Sequence, residues 1–140
     1  MMAAETVEDE LVRAAEAALA RLAALGVEDP LVALAAGDLC AEALAAFVAR
    51  CRGGRVRVAD SLRMEATRLL EPLARERPDG LRALVVASAG AAAWRQANDC
   101  AQAALVAGEA DGAVVCGVRD GRACAVALHG PLATPAGEDA

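Results

Sequence analysis

The chain has 140 residues, enough for one domain with one core and too few for two. Its net charge of −6, with every basic side chain an arginine and none a lysine, disfavours phosphate-backbone ligands, so no nucleic acid is expected as a partner. Alanine supplies much of the 57% hydrophobic fraction and only Phe47 and Trp94 are aromatic; such a core is thin for its length, and a homo-oligomeric contact or a hetero-partner protein is expected to support it.

Other classes fall away on pattern. No run approaches the roughly 18 to 20 apolar residues of a membrane helix, and the acidic start Met1 to Glu10 lacks a signal peptide's basic region. No membrane partner and a cytoplasmic location are therefore expected. Five cysteines, Cys40, Cys51, Cys100, Cys116 and Cys124, contain no C-x-x-C pair and have only His129 to join them. No metal site, disulfide framework or cofactor is expected, and most of the thiols read as small buried hydrophobes.

In chain order, Thr6 reads as an N-cap with Asp9 three residues on, and Leu11, Ala15, Ala18, Leu22 and Leu25 recur at helical spacing until Gly26. Asp29-Pro30 reads as a second cap with proline at the first helical position. A helix carrying Leu31, Leu34, Leu44, Phe47 and Val48 is expected from there to Arg52, with Asp38 at its solvent boundary and Gly53-Gly54 as its stop. The short loop makes residues 1–53 a helical hairpin, whose first helix has a seam able to dock a partner helix.

Beyond the glycines the pattern becomes strand and helix in alternation. Arg55 to Ala59 alternates with period two; Asp60 or Ser61 caps a helix through Leu69 and Leu70, which Pro72 kinks or restarts. Leu81 to Ser88 is a buried-strand candidate. Ala89 to Ala97 reads as a loop leading into a short strand, and a helix opening near Cys100 follows. Residues 112–118 and 122–128 form a hairpin about Arg119-Asp120-Gly121, where Asp-Gly favours a tight turn. The expected fold is α/β: the helical hairpin, then a strand-helix alternation over 54–130 forming a mixed sheet, then a flexible tail 131–140, all in a single domain 1–140.

The stretch Asn98 to Val118, NDCAQAALVAGEADGAVVCGV, resembles the nucleophile segment of the thiolase-like superfamily, the ketosynthases in particular. In that family a cysteine opens a buried helix, the helix ends in Ala-Gly-Glu-Ala-Asp or similar, and a strand follows. The resemblance puts Cys100 at the nucleophile's position and Ala107 to Asp111 at the helix exit. It covers about 20 residues well, and the rest is compatible with one half of that duplicated fold. The family completes its site with His and His or His and Asn, largely from the second half; this chain has one histidine, and Pro131, Leu132 and Ala133 break the family's His-Gly-Thr-Gly-Thr pattern after His129.

The candidate catalytic residue is thus Cys100, and the candidate binding residues are Trp94, Arg95 and Asn98. If Cys100 opens a helix at one edge of the sheet, the Asp-Gly hairpin leaves His129 at the other edge, about 20 Å of strand away. Arg50, Arg52, Arg55 and Arg57 around Gly53-Gly54 could hold a phosphate such as that of an acyl-carrier phosphopantetheine. The resemblance implies a half-domain that is an accessory or partner subunit in fatty-acid or polyketide-type acyl-chain synthesis, with an acyl carrier protein as a partner, rather than a self-sufficient enzyme. The alternative is a non-catalytic interaction or structural module working through the helical hairpin.

Overall fold

The computed structural model describes residues 6–54, 66–77, 80–86, 88 and 90–130. Helix α1 spans Val7–Ala24. Thr6 caps it as expected, its Oγ1 accepting the Asp9 N–H at 3.1 Å, and Glu8, Asp9 and Glu10 place negative charge in the first turn, where the helix dipole favours it. Gly26, at φ +88°, ends the helix, and the Val27 N–H returns to the Leu22 carbonyl at 3.0 Å, a closure that needs a left-handed residue.

The next element corrects the helical hairpin. Leu31–Ala35 is a strand, β1, and helix α2 begins only at Gly37 and runs to Arg52. Leu31 and Leu34 are spaced as on a helix, but all five residues of Leu-Val-Ala-Leu-Ala are buried, and a strand covered on both faces has no polar alternation to betray it. Pro30 precedes the strand, a position where its missing N–H is tolerated. The first two helices are therefore separated by a strand at the centre of the sheet.

A 3₁₀ turn, Ala66–Leu70, passes into the short helix α3, Glu71–Arg75, with Pro72 at its start, so the proline restarts the helix. Strand β2 is Arg82–Val86, helix α4 is Gly90–Val106, and strands β3 (Gly112–Arg119) and β4 (Arg122–His129) follow. The expected strand Arg55 to Ala59, the cap at Asp60 or Ser61 and the tail 131–140 lie outside the described residues.

The sheet has the order β2-β1-β3-β4. β1 pairs in parallel with β2 on one side and β3 on the other, while β3 and β4 form the antiparallel hairpin that the Asp-Gly turn predicts. Asp120 and Gly121 have φ of 53° and 76°, the two left-handed positions of a type I′ turn. The mixed α/β sheet of a single domain is thus observed.

Alternate residues of each strand feed opposite layers. Val32, Leu34, Val114 and Cys116 face α1, where Leu11, Leu19 and Leu22 meet Leu69, Leu70 and Leu73. Ala33, Ala35, Ala113 and Val115 face α4, which answers with Ala93, Ala97, Ala101, Ala104 and Leu105. The α4 layer is built mostly of alanine, so α4 lies on the sheet through methyl groups. Arg68 reaches Glu8 through both guanidinium nitrogens, at 3.4 and 3.2 Å, but this pair is partly exposed and adds little; the three leucines of the 3₁₀ turn and α3 hold that corner down.

Gly117 pairs with Ala35, and a Cβ there would run into the Ala35 carbonyl oxygen. Gly117→Ala is expected to destabilise the fold by about 1–3 kcal/mol through overpacking, read as a lower denaturant midpoint at unchanged slope. An unchanged midpoint would show that β1 and β3 are not this close.

Candidate functional site

An open α/β sheet offers ligands the C-terminal edge of its parallel strands, where helix N-termini and loops converge. Here that edge is formed by the ends of β1, β2 and β3, from which α2 and α4 set off. Ser88 Oγ donates to Gln96 Oε1 at 2.8 Å, bridging the approach to α4 with its second turn. Trp94, half-buried against the alanine layer, has the Arg119 guanidinium 5.2 Å from its ring centroid, a cation–π contact that ties α4 to the end of β3. Trp94 thus lies where α4 meets the end of β3. Arg95 is exposed beside it, and Asn98 is half-buried one turn further along. Arg119 was not singled out by sequence reasoning; its position just before Asp-Gly marks it as a turn residue and carries no signal of the tryptophan.

Cys100 does not open a helix. α4 starts at Gly90, so Cys100 stands ten residues in, about 15 Å along the axis, and it is exposed. The stretch read as loop and short strand, Ala89 to Ala97, is from Gly90 onward the first half of α4. The physical reason is propensity: Ala91, Ala92 and Ala93 are the strongest helix formers available and carry the helix back to Gly90, whose φ of +65° lets the chain turn into it. The first turn of α4 thus holds alanine methyls and no nucleophile. His129 is exposed and pairs with Gly112, at the end of the hairpin away from Arg119 and Trp94. No hydrogen bond joins Cys100 to His129 among the described residues.

The other thiols divide by burial. Cys51 is exposed at the end of α2, and Cys124 is half-buried with Sγ 3.8 Å from the Arg122 carbonyl. Cys116 is fully buried in the α1 layer, and burial pushes its thiol up to about 12. The side chain of Cys40 lies outside the described residues. Among the described residues no group of His, Cys, Asp and Glu could hold a metal ion, and no helix is long and apolar enough to cross a membrane. Of the four arginines grouped around Gly53-Gly54, Arg50 is half-buried and Arg52 exposed at the end of α2; Arg55 and Arg57 lie outside the described residues.

A cleft of about 720 Å³ lies at the opposite, N-terminal edge of the sheet, lined by Glu28, Asp29, Pro30, Glu76, Arg77, Gly80, Leu81 and Arg82. Sequence reasoning did not find it, since its residues come from two distant loops. Its arginines are engaged within the chain. Arg82 donates to Asp29 Oδ2 at 3.0 Å and to the Glu109 carbonyl at 2.8 Å, and Arg77 donates to the Leu73 carbonyl at 2.7 Å. Among the described residues the cleft is a clasp binding the loops before β1, β2 and β3, with Arg82 paired to Asp29.

No family model, curated protein or solved structure matches the chain. The site is therefore read from its geometry.

Exposure and burial predict the order of thiol modification in the native protein. Cys51 and Cys100 are expected to react first and at similar rates, Cys124 more slowly, and Cys116 only on unfolding, with no gain as pH rises to 9 because its buried thiol stays protonated there. Site-resolved alkylation followed by mass spectrometry measures this. Fast labelling of Cys116 would contradict the packing of β3.

Proposed function

We propose that the chain is a thiolase-like half-domain without a nucleophile, a partner subunit linked to acyl-chain synthesis of the fatty-acid or polyketide kind rather than a self-sufficient enzyme. One observation carries the reading. Helix α4 exits through Ala107-Gly108-Glu109-Ala110-Asp111 into β3, as the resemblance implies, while Cys100, which the resemblance puts at the helix's start, stands ten residues in and leaves no cysteine in its first turn. The exit supports the likeness: Gly108, at φ +77°, closes α4 and the Glu109 N–H returns to the Ala104 carbonyl at 2.9 Å before β3 enters the sheet beside β1. A thiol needs a base within about 3 Å to act as an acyl acceptor, and exposed Cys100 has no such partner among the described residues. The acyl group would stay on its carrier's thioester throughout, with all bond-making left to a partner.

A second reading has an observation of its own. Leu44 and Val48 of α2 are 52% and 39% exposed, which favours a protein-interaction surface on α2 in place of the helical hairpin. On the seam of α1, Leu11, Ala15, Ala18 and Leu22 are buried in the core and unavailable to a partner, while Leu25 at its end is 60% exposed.

Incubation with acetyl- or malonyl-phosphopantetheine thioester, followed by intact-mass measurement, is expected to leave the chain unmodified, while titration with a phosphopantetheinylated acyl carrier protein changes the fluorescence of the single tryptophan, Trp94. A stable acyl adduct on Cys100 would overturn the non-catalytic reading. Absence of carrier binding, together with lost partner binding in Leu44→Glu, would favour the α2 surface.

A further inference from the structure

The sheet ends in an open edge at β4, which pairs with β3 on one side and with no strand on the other among the described residues. In a two-residue hairpin the residues flanking the turn form a hydrogen-bonded pair, so Arg122, Cys124, Val126 and Leu128 turn their N–H and C=O groups toward β3. Ala123, Ala125, Ala127 and His129 hold theirs out at the open edge. The side chains alternate by face: Ala123, Ala125 and Ala127 pack toward α1, whereas Cys124, Val126 and Leu128 lie on the other face, where Leu128 touches the α4 layer and Val126 is 44% exposed.

Sheet edges are ordinarily blunted by lysine, proline, bulges or inward charges. β4 has none of these. Its register with β3 runs unbroken from Arg122 to His129, and those two residues, at its very ends, are its only titratable basic groups. In a chain of net charge −6 it carries no acidic residue. The other edge strand, β2, is shorter, five residues against eight, and Arg82 at its start is tied to Asp29.

We propose that β4 pairs antiparallel with β4 of a second copy of this chain about a two-fold axis, joining two four-stranded sheets into one. Only an extended strand satisfies a row of outward N–H and C=O groups, and β4 is complementary to itself. Directly opposed residues of an antiparallel pair point to the same face, which restricts the register. With Val126 on the axis opposite its own copy, Cys124 lies opposite Leu128, Ala125 opposite Ala127 and Ala123 opposite His129 of the second copy. Every outward-facing residue of β4 is then hydrogen-bonded. The half-exposed row Cys124, Val126 and Leu128 becomes one apolar row across both strands, and no like charges are opposed, since Arg122 falls opposite Gly130. The inference rests on the strand edge alone and is independent of the thiolase-like reading.

The full chain is expected to sediment at twice its 14.1 kDa mass. Raising its concentration through the dissociation midpoint should slow amide exchange at Ala123, Ala125, Ala127 and His129. Val126→Arg, which opposes two cations on the axis, is expected to weaken self-association by at least about tenfold with unchanged circular dichroism. A variant that misfolds leaves a second measurement decisive: with Cys40, Cys51, Cys100 and Cys124 replaced by serine, Val126→Cys should form a disulfide-linked dimer on mild oxidation, because non-hydrogen-bonded pairs bring Cβ atoms close enough, and Leu44→Cys in the same background should not. A monomer at all accessible concentrations, a dimer whose protected amides lie on β2, or cross-linking at Leu44 in preference to Val126 would overturn the proposal.

Discussion

The structure depends on burying one short strand from both sides. β1 sits between β2 and β3, and its five residues alternate between the α1 layer and the α4 layer with no polar side chain among them. Each layer needs the other, because the strand that supplies Val32 and Leu34 to one supplies Ala33 and Ala35 to the other. Close approach to β3 follows from the same constraint: only a glycine at position 117 fits beside Ala35. Alanine in the α4 layer gives little area per residue, so stability in this chain comes from close packing of small groups as much as from large side chains.

That arrangement also sets what the two ends of the sheet can do. Parallel strands point their C-terminal ends toward the starts of α2 and α4, and the share of that edge's chemistry that α4 supplies is decided by what the helix begins with. It begins with alanines. The polar pairs nearby, Ser88 with Gln96 and Arg119 with Trp94, are engaged with each other, which is the behaviour of a scaffold more than of a site awaiting a reactive group. At the other end, Arg82 and Asp29 hold the incoming loops together. Among the described residues these groups at both ends hold the fold together, and the exposed surfaces include that of α2 and the edge of β4.

Legibility in the sequence followed from whether a segment has one exposed face. α1 could be read because Thr6 and Gly26 bracket a one-sided apolar stripe, and the β3–β4 hairpin because Asp120-Gly121 dictates its own turn. β1 could not, since burial on both faces erases alternation and leaves Leu31 and Leu34 at a spacing that suits a helix equally well. α4 is longer than the expected helix for a related reason: a run of alanine has no pattern, so Ala89 to Ala97 reads as loop and short strand, whereas Gly90 is the helix start and Trp94 its anchor to β3. The expectation that Cys100 opens a helix rested on a likeness alone, and the alanines upstream, which carry α4 back to Gly90, leave it in mid-helix.

The most direct measurement is backbone chemical shifts with native-state amide exchange across Leu31 to Gly37. The account predicts extended-strand shifts for Leu31 to Ala35, a change to helical shifts at Gly37, and β1 amides that exchange only through global unfolding. Continuous helical shifts from Leu31 to Arg52, or rapid exchange at Val32 to Leu34, would contradict the central strand and with it the placement of every layer built upon it.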